Sequence, residues 1–361
     1  NMNNLSRIQQ QLEQHALDAL LITDEKNQRY ALGFPFTDGA VLVSRRGAWL
    51  FTDSRYIEAA ENTAGSIANV VLFDAQHPLM DSIRAVIASE QLSRVGAEEE
   101  KLSHAGFLHY EKELGMKLEA AQSILSTLRS AKSEEEIAAM REAQGIAEAA
   151  LAETLPLIRP GMSEQELAAE LVYRMLRHGS EGNSFDPIVI TGKKTSMPHG
   201  VPGDALIAEG DFVTMDFGCI KHGYCSDMTR TVAVGHATEE MRNIYSIVLE
   251  AQLAGIAAAR AGVPGRDIDG AARDVITHAG YGEYFGHGFG HSLGLDIHES
   301  PNANLRGETP MPVGAVVSAE PGIYLPGRFG VRIEDVMVLR ENGAEVITRA
   351  PKMELIVLNN N

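Results

Sequence analysis

Phe212-Val213-Thr214-Met215-Asp216-Phe217-Gly218 is an apolar run interrupted by one carboxylate, and the reading of the whole chain turns on it. Its length and apolar content predict a buried strand. A second run, Tyr224-Cys225-Ser226-Asp227-Met228-Thr229-Arg230-Thr231, follows, with His222-Gly223 as the turn between them. The acids are separated by 227 − 216 = 11 positions, a spacing that suits a hairpin holding both on adjacent strands. Farther on, Glu320 and Glu334 stand 334 − 320 = 14 apart, with Pro326-Gly327 and Gly330 between them. One aspartate in an apolar strand is usually a hydrogen-bonded structural residue. Buried carboxylates that face one another repel, and need a cation or shared protons. Four in a repeated pattern therefore point to metal.

The repetition extends outward. Arg159-Pro160-Gly161 through Gly179 aligns with Arg260-Ala261-Gly262 through Gly280 at an offset of 260 − 159 = 101. Gly210-x-x-Val213-x-x-Asp216-x-Gly218 aligns with Gly314-x-x-Val317-x-x-Glu320-x-Gly322 at 314 − 210 = 104. Each half reads as helices, a strand ending in a carboxylate and a glycine, then a second carboxylate strand. Two capping boxes, Ser133 with Glu136 and Ser163 with Glu166, open helices expected to reach about 157 and 179.

Ahead of them the pattern changes. Helices are expected at 5–15, 80–89 and 105–114, strands at 19–22, 69–73 and 95–98, and a hairpin at 40–51 turning on Arg45-Arg46-Gly47. That alternation predicts an α/β domain over 1–130, followed by a second domain over 131–361. A chain of 361 residues exceeds what one core usually serves.

Composition narrows the partners. A formal net charge of −18 excludes nucleic acid as the expected partner and disfavours anionic membranes. Two cysteines, Cys219 and Cys225, fit a reducing compartment and read as small core residues. Asn1-Met2-Asn3-Asn4 and the polar stretch after it do not resemble a signal peptide, and no window reaches membrane-span length. A cytoplasmic location is expected.

Histidines supply the remaining chemistry. Gly286-His287-Gly288-Phe289-Gly290-His291 is too glycine-rich for a zincin-type helical pair. His298 follows in Leu295-Asp296-Ile297-His298-Glu299, and His199 sits in Met197-Pro198-His199-Gly200. A lone histidine is usually structural; three near glycine or proline turns that flank buried acids mark a site. Gly192-Lys193-Lys194-Thr195 is not a phosphate loop, since Pro187 stands where that motif needs glycine, and no Gly-x-Ser-x-Gly elbow occurs.

The motifs PHG (198–200), DFG (216–218), SDMTRT (226–231), GHSLGLDIHE (290–299), EPGIY (320–324) and VRIED (331–335) together resemble those of the Xaa-Pro peptidase family. That family shares the pita-bread fold with methionine aminopeptidase, and the likeness runs through the whole chain. It implies an α/β (α+β) protein with an N-terminal creatinase-like domain and a C-terminal pita-bread domain of pseudo-twofold symmetry. It implies Asp216, Asp227, His291, Glu320 and Glu334 as ligands of two divalent ions. Oxygen-rich ligation with one imidazole suits Mn²⁺ or Co²⁺, with Zn²⁺ a third candidate. Two such ions bridge a water, lower its pKa and polarise a scissile carbonyl. The resemblance further gives His199, His298 and Glu320 to catalysis, and His287 and Arg332 to substrate, with Arg332 as an alternative orienting Glu334. The expected activity is an aminopeptidase acting on Xaa-Pro peptides as a homodimer. A strict Xaa-Pro dipeptidase is the first alternative, and an inactive pita-bread binding protein the second.

Overall fold

The computed structural model describes residues 3–34 and 38–359. Asn1 and Met2, read above for a leader, lie outside the described residues. Two compact units divide the chain, Asn1–Arg129 and Ser130–Asn361.

The first unit is a six-stranded sheet with the order Asn69–Leu72, Ala48–Thr52, Ala40–Ser44, Ala19–Ile22, Val95–Ala97, Leu118–Ala120. Ala19–Ile22 and Ala40–Ser44 are buried at every position, so neither shows polar alternation. The hairpin turns at Arg45-Arg46-Gly47 as expected, with Ser44 N–H bonded to the Gly47 carbonyl at 2.8 Å. Helices Asn4–Gln14, Leu79–Ser89 and His104–Leu114 lie within a residue of their expected bounds. Helices Glu25–Leu32, Ile57–Ala64 and Gln122–Ser130 were not foreseen. Asp24 caps the first of these, but its buried positions include Asn27, Gln28 and Ala31, polar or small residues that hide the apolar stripe.

The second unit is built twice. In its first half, helices Glu134–Thr154 and Glu164–Arg177 begin with both capping boxes formed. They bury Leu167, Leu171 and Met175 against Val213, Met215 and Phe217. Full burial of such side chains contributes roughly 1.5–3 kcal/mol each. In its second half, Glu239–Ala258 and Gly265–His278 pack on Val317 and Met337 through Val248, Ile268 and Ile276. Helix Glu164–Arg177 maps onto Gly265–His278 with 265 − 164 = 101, the offset found in the sequence. Gly161 and Gly262 carry φ of 86° and 84°, so even the turn before each helix is repeated.

Both acid hairpins carry a break. Phe212–Phe217 pairs with Met228–Val234, and Thr229 rather than Asp227 is the Cα partner of Asp216. Between them the chain swings into a short ribbon, Cys219–Lys221 with Tyr224–Cys225, turning at His222 and Gly223 with φ of 51° and 78°. Gly218 marks the departure: a Cβ there would lie 1.9 Å from the Ser226 carbonyl oxygen. The expected plain hairpin is thus a kinked one, with Asp227 just ahead of its strand. The second half repeats this with Val316–Ala319 paired to Asp335–Arg340 and the ribbon Gly322–Leu325 with Phe329–Arg332. Cys219 and Cys225 are buried and form no disulfide, and burial pushes the Cys219 thiol up to about 11.

Candidate metal centre

The two kinks meet. An isolated bridge joins Thr229 to Glu334, with the Glu334 N–H donating to the Thr229 carbonyl at 3.1 Å. Asp216, Asp227, Glu320 and Glu334 therefore converge from both halves on one cavity of about 330 Å³, which His199, His287, His291, His298 and Arg332 also line. All nine residues singled out in the sequence lie on this cavity.

Burial is deep at its floor: Asp216 is 8%, Asp227 4% and Glu334 1% exposed. His291 Nε2 approaches Asp227 Oδ2 at 3.4 Å and Glu320 Oε1 at 3.2 Å. Potential ligand atoms of Asp227, His291 and Glu334 lie within 4.8 Å of one another. Asp216 Oδ1, Asp227 Oδ1 and Glu334 Oε1 are buried without a hydrogen-bond donor. Buried carboxylate oxygens are normally paired. Three unpaired ones in one cluster, next to an imidazole, fit a divalent cation.

Proton affinities describe the same frustration. Burial lifts Asp216 to about 7, against the pull of the Arg332 guanidinium. It lifts Asp227 as well, and it lifts Glu334 far above the carboxylate range, with Asp227, Glu320 and Asp216 adding their repulsion. Burial acts on Glu320 too, yet His291, His287 and Arg332 outweigh it and hold that carboxyl near about 2. Desolvation opposes a charged His291, but Asp227 and Glu320 beside it raise its pKa well above the usual value.

One wall is a directed hydrogen-bond chain. His287 Nδ1 lies 2.8 Å from the Gly288 carbonyl, which only accepts, so Nδ1 carries the proton. Burial keeps this imidazole neutral, leaving Nε2 to accept from the Tyr324 hydroxyl at 2.7 Å. Tyr324 in turn accepts from Arg332 Nη1 at 3.0 Å, and Arg332 Nη2 donates to Asp216 Oδ2 at 2.8 Å. Arg332 Nε reaches Thr229 Oγ1 at 3.2 Å, and that hydroxyl donates to Glu334 Oε2 at 2.7 Å. Arg332 thus orients Asp216 directly and Glu334 only through Thr229.

The opposite wall is looser. His298 packs edge-on against His291, with ring centroids 4.3 Å apart. Burial, then the His291 charge, lowers its pKa. His199 is exposed on a loop at the rim. Glu164 fixes that loop from below, accepting from Thr191 N–H, Gly203 N–H and Lys194 Nζ at 2.9, 2.9 and 2.5 Å. Ser318 ties His291 N–H to Glu320 Oε1 through bonds of 3.0 and 2.8 Å.

Thr229, Ser318, Tyr324 and Asn302 belong to the site and were given no role from sequence. Thr229 and Tyr324 lie inside quoted motifs, which was the available signal; Ser318 and Asn302 had none.

The model of metallopeptidase family M24 matches residues 138–341, and that of the creatinase/prolidase N-terminal domain residues 4–131. Among solved structures, the Xaa-Pro dipeptidase from Bacillus anthracis superposes with a TM-score of 0.94 at 40% identity, covering 98% of this chain and 99% of that one. The X-Pro aminopeptidase from Thermotoga maritima gives 0.91 at 36% identity, covering 96% and 99%. An Xaa-Pro dipeptidase of Pyrococcus horikoshii is 34% identical over 96% of each chain. No helix among the described residues is long and apolar enough to cross a membrane.

Proposed function

The chain belongs to metallopeptidase family M24 and carries a creatinase/prolidase N-terminal domain; from that premise we propose that it hydrolyses the bond preceding proline in short peptides. The observation that carries the reading is the set of three donor-less buried carboxylate oxygens around His291. In this reading Asp216, Asp227, His291, Glu320 and Glu334 hold two divalent cations, Mn²⁺ or Co²⁺ by donor chemistry. Bound there, the cations supply Lewis acidity and an activated water.

The residues do the rest. Glu320, anchored through Ser318, receives the proton of the attacking water and passes it to the departing proline nitrogen. His298, whose pKa burial lowers, donates a hydrogen bond to the scissile carbonyl as a neutral imidazole. His199 closes on substrate from the rim. Arg332 and His287 act at one remove, Arg332 through its bonds to Asp216, Tyr324 and Thr229 and His287 through Tyr324.

Two of the three relatives named above are Xaa-Pro dipeptidases, which favours dipeptides as the substrate. The cavity favours the aminopeptidase reading: among the described residues that line it Arg332 is the one Arg or Lys, and its guanidinium is already paired with Asp216 rather than held for a carboxylate after proline. Hydrolysis of Ala-Pro and Ala-Pro-Ala by chelated protein re-supplied with Mn²⁺ or Co²⁺ decides. Cleavage of the dipeptide alone means a prolidase, and cleavage of the tripeptide an aminopeptidase. Failure on both with either ion removes the peptidase reading. A homodimer is part of the proposal; sedimentation of a monomer at micromolar concentration would remove it.

A further inference from the structure

Asn302 is a polar cavity residue that the mechanism leaves without a task. It lies on the strand Glu299–Ala303, paired antiparallel with Gly290–Ser292, and its Cα stands across from that of His291. Directly opposed residues point to the same face of a sheet, with Cβ atoms about 5 Å apart. The carboxamide therefore sits beside the central imidazole, and it lines the same cavity.

Its Oδ1 is buried and accepts no hydrogen bond. A dry, unpaired amide oxygen is unfavourable, and most such groups find a partner by small movements. The backbone cannot shift here but the side-chain torsions can, so Oδ1 finds a partner only by turning from its dry position into the cavity. A Cβ on Gly265 would lie 2.0 Å from the Asn302 carbonyl oxygen, and one on Gly307 would lie 2.4 Å from it, so bare backbone packs on this residue at both positions. The backbone is clamped while the side-chain acceptor is left over.

We propose that Asn302 is a specificity-determining residue whose Oδ1 accepts an N–H of the bound peptide. The proposal rests on the Xaa-Pro reading above. The nitrogen of an Xaa-Pro bond is tertiary and carries no hydrogen, so it cannot satisfy Oδ1. Two donors flank the scissile carbonyl instead: the α-ammonium of the first residue and, in longer peptides, the N–H of the third. A dipeptide offers only the ammonium, whose charge makes the stronger bond.

The test compares Asn302→Leu, which keeps the size and removes the acceptor, with Asn302→Asp, which keeps the acceptor. Each is Mn²⁺-loaded and assayed on Ala-Pro and Ala-Pro-Ala, with bound manganese measured in parallel. The expected result is a fall in kcat/KM of about tenfold or more for Asn302→Leu. Asn302→Asp should stay within about threefold of wild type, since a charged acceptor still pairs. Manganese content should not change. Loss on both peptides assigns the bond to the ammonium, and loss on the tripeptide alone assigns it to the third-residue N–H. Wild-type rates for Asn302→Leu on both peptides would overturn the proposal, as would an equal fall for Asn302→Asp or a loss of manganese in Asn302→Leu. If wild-type protein cleaves neither peptide, the Xaa-Pro reading falls and takes this proposal with it.

Discussion

Glu334 and Asp335 follow each other in the chain, so their side chains leave on opposite faces, and the two faces treat a buried charge differently. Asp335 is 0% exposed and fully compensated: Arg230 Nη2 donates to Oδ1 at 2.8 Å, and the Lys352 ammonium pairs with Oδ2. Arg230, itself 2% exposed, spends its other N–H groups on the carbonyls of Thr229, Glu334, Ala350 and Pro351. Glu334, 1% exposed, receives one hydroxyl on Oε2 and nothing on Oε1, and it faces three further carboxylates. The rear face pairs both oxygens of Asp335 with cations, whereas the front face spends its one guanidinium, Arg332, on Asp216 and leaves Glu334 without a cation. A third solution appears in the first unit. There Glu98 is satisfied by uncharged donors: Thr23 N–H at 2.6 Å, Thr23 Oγ1 at 3.1 Å, Asp24 N–H at 2.9 Å and Asn27 Nδ2 at 2.6 Å. Burial alone is therefore no mark of a site. The mark is a buried charge whose compensation is missing.

Substitutions on the two faces should separate stability from activity. Arg230→Met leaves Asp335 to Lys352 alone and takes the donor from four carbonyls, and should cost about 3–5 kcal/mol of stability, read by thermal or urea unfolding. A loss below about 1 kcal/mol would show that the rear network is dispensable and would dissolve the contrast. Glu334→Gln should do the reverse. Outer partners of a metal ligand alone are worth about 10–100-fold, so loss of a ligand should lower turnover by more than about 100-fold and reduce bound metal. Because burial and the neighbouring carboxylates already favour the neutral form of Glu334, the thermal midpoint of the metal-free protein should hold or rise. A marked fall in that midpoint would mean the cluster is not repulsive.

Metal addition sharpens the comparison further. Mn²⁺ at about a hundred times its dissociation constant should stabilise wild type by about 2.7 kcal/mol and leave much less effect in Glu334→Gln. Equal shifts in both proteins would place the ion elsewhere. The smallest effect belongs to Glu98. Glu98→Gln turns an amide N–H₂ towards existing donors and should cost about 1–3 kcal/mol. Burial holds the Glu98 carboxyl above its ordinary 4.5. A raised folded value means that its contribution is complete below about 4.5 and declines as pH rises through the folded pKa. The stability gap between wild type and Glu98→Gln should therefore narrow as pH rises from about 4.5 through the folded pKa. A widening gap would mean that the four donors outweigh burial and hold this carboxyl below its ordinary value.

Much of this was legible because acids in apolar strands are conspicuous. Asp216 and Glu320 announce themselves against Val213, Phe217, Val317 and Ala319, and the offsets of 101 and 104 reappear as repeated helices and kinked hairpins. Both capping boxes placed their helices because the signal is local. The register was not legible. Asp216 faces Thr229 because the Ser226 hydroxyl accepts the Cys219 N–H and the chain turns aside there, a tertiary event without a periodic trace. Arg332 was read as a substrate contact or a support for Glu334, since sequence does not say that Tyr324 and Asp216 stand within reach of its guanidinium. Asn302 was invisible, because an asparagine beside proline reads as turn chemistry.

The Thr229–Glu334 bridge has a consequence for how the protein is made. Asp216 and Asp227 belong to the half synthesised first, while His291, Glu320 and Glu334 belong to the half synthesised last. A nascent chain holding only the earlier half owns two acids but neither the imidazole nor the glutamates that complete the cage. Under the proposed ligand set, ion capture waits until the later half has been translated, and a prematurely terminated product holds no complete site.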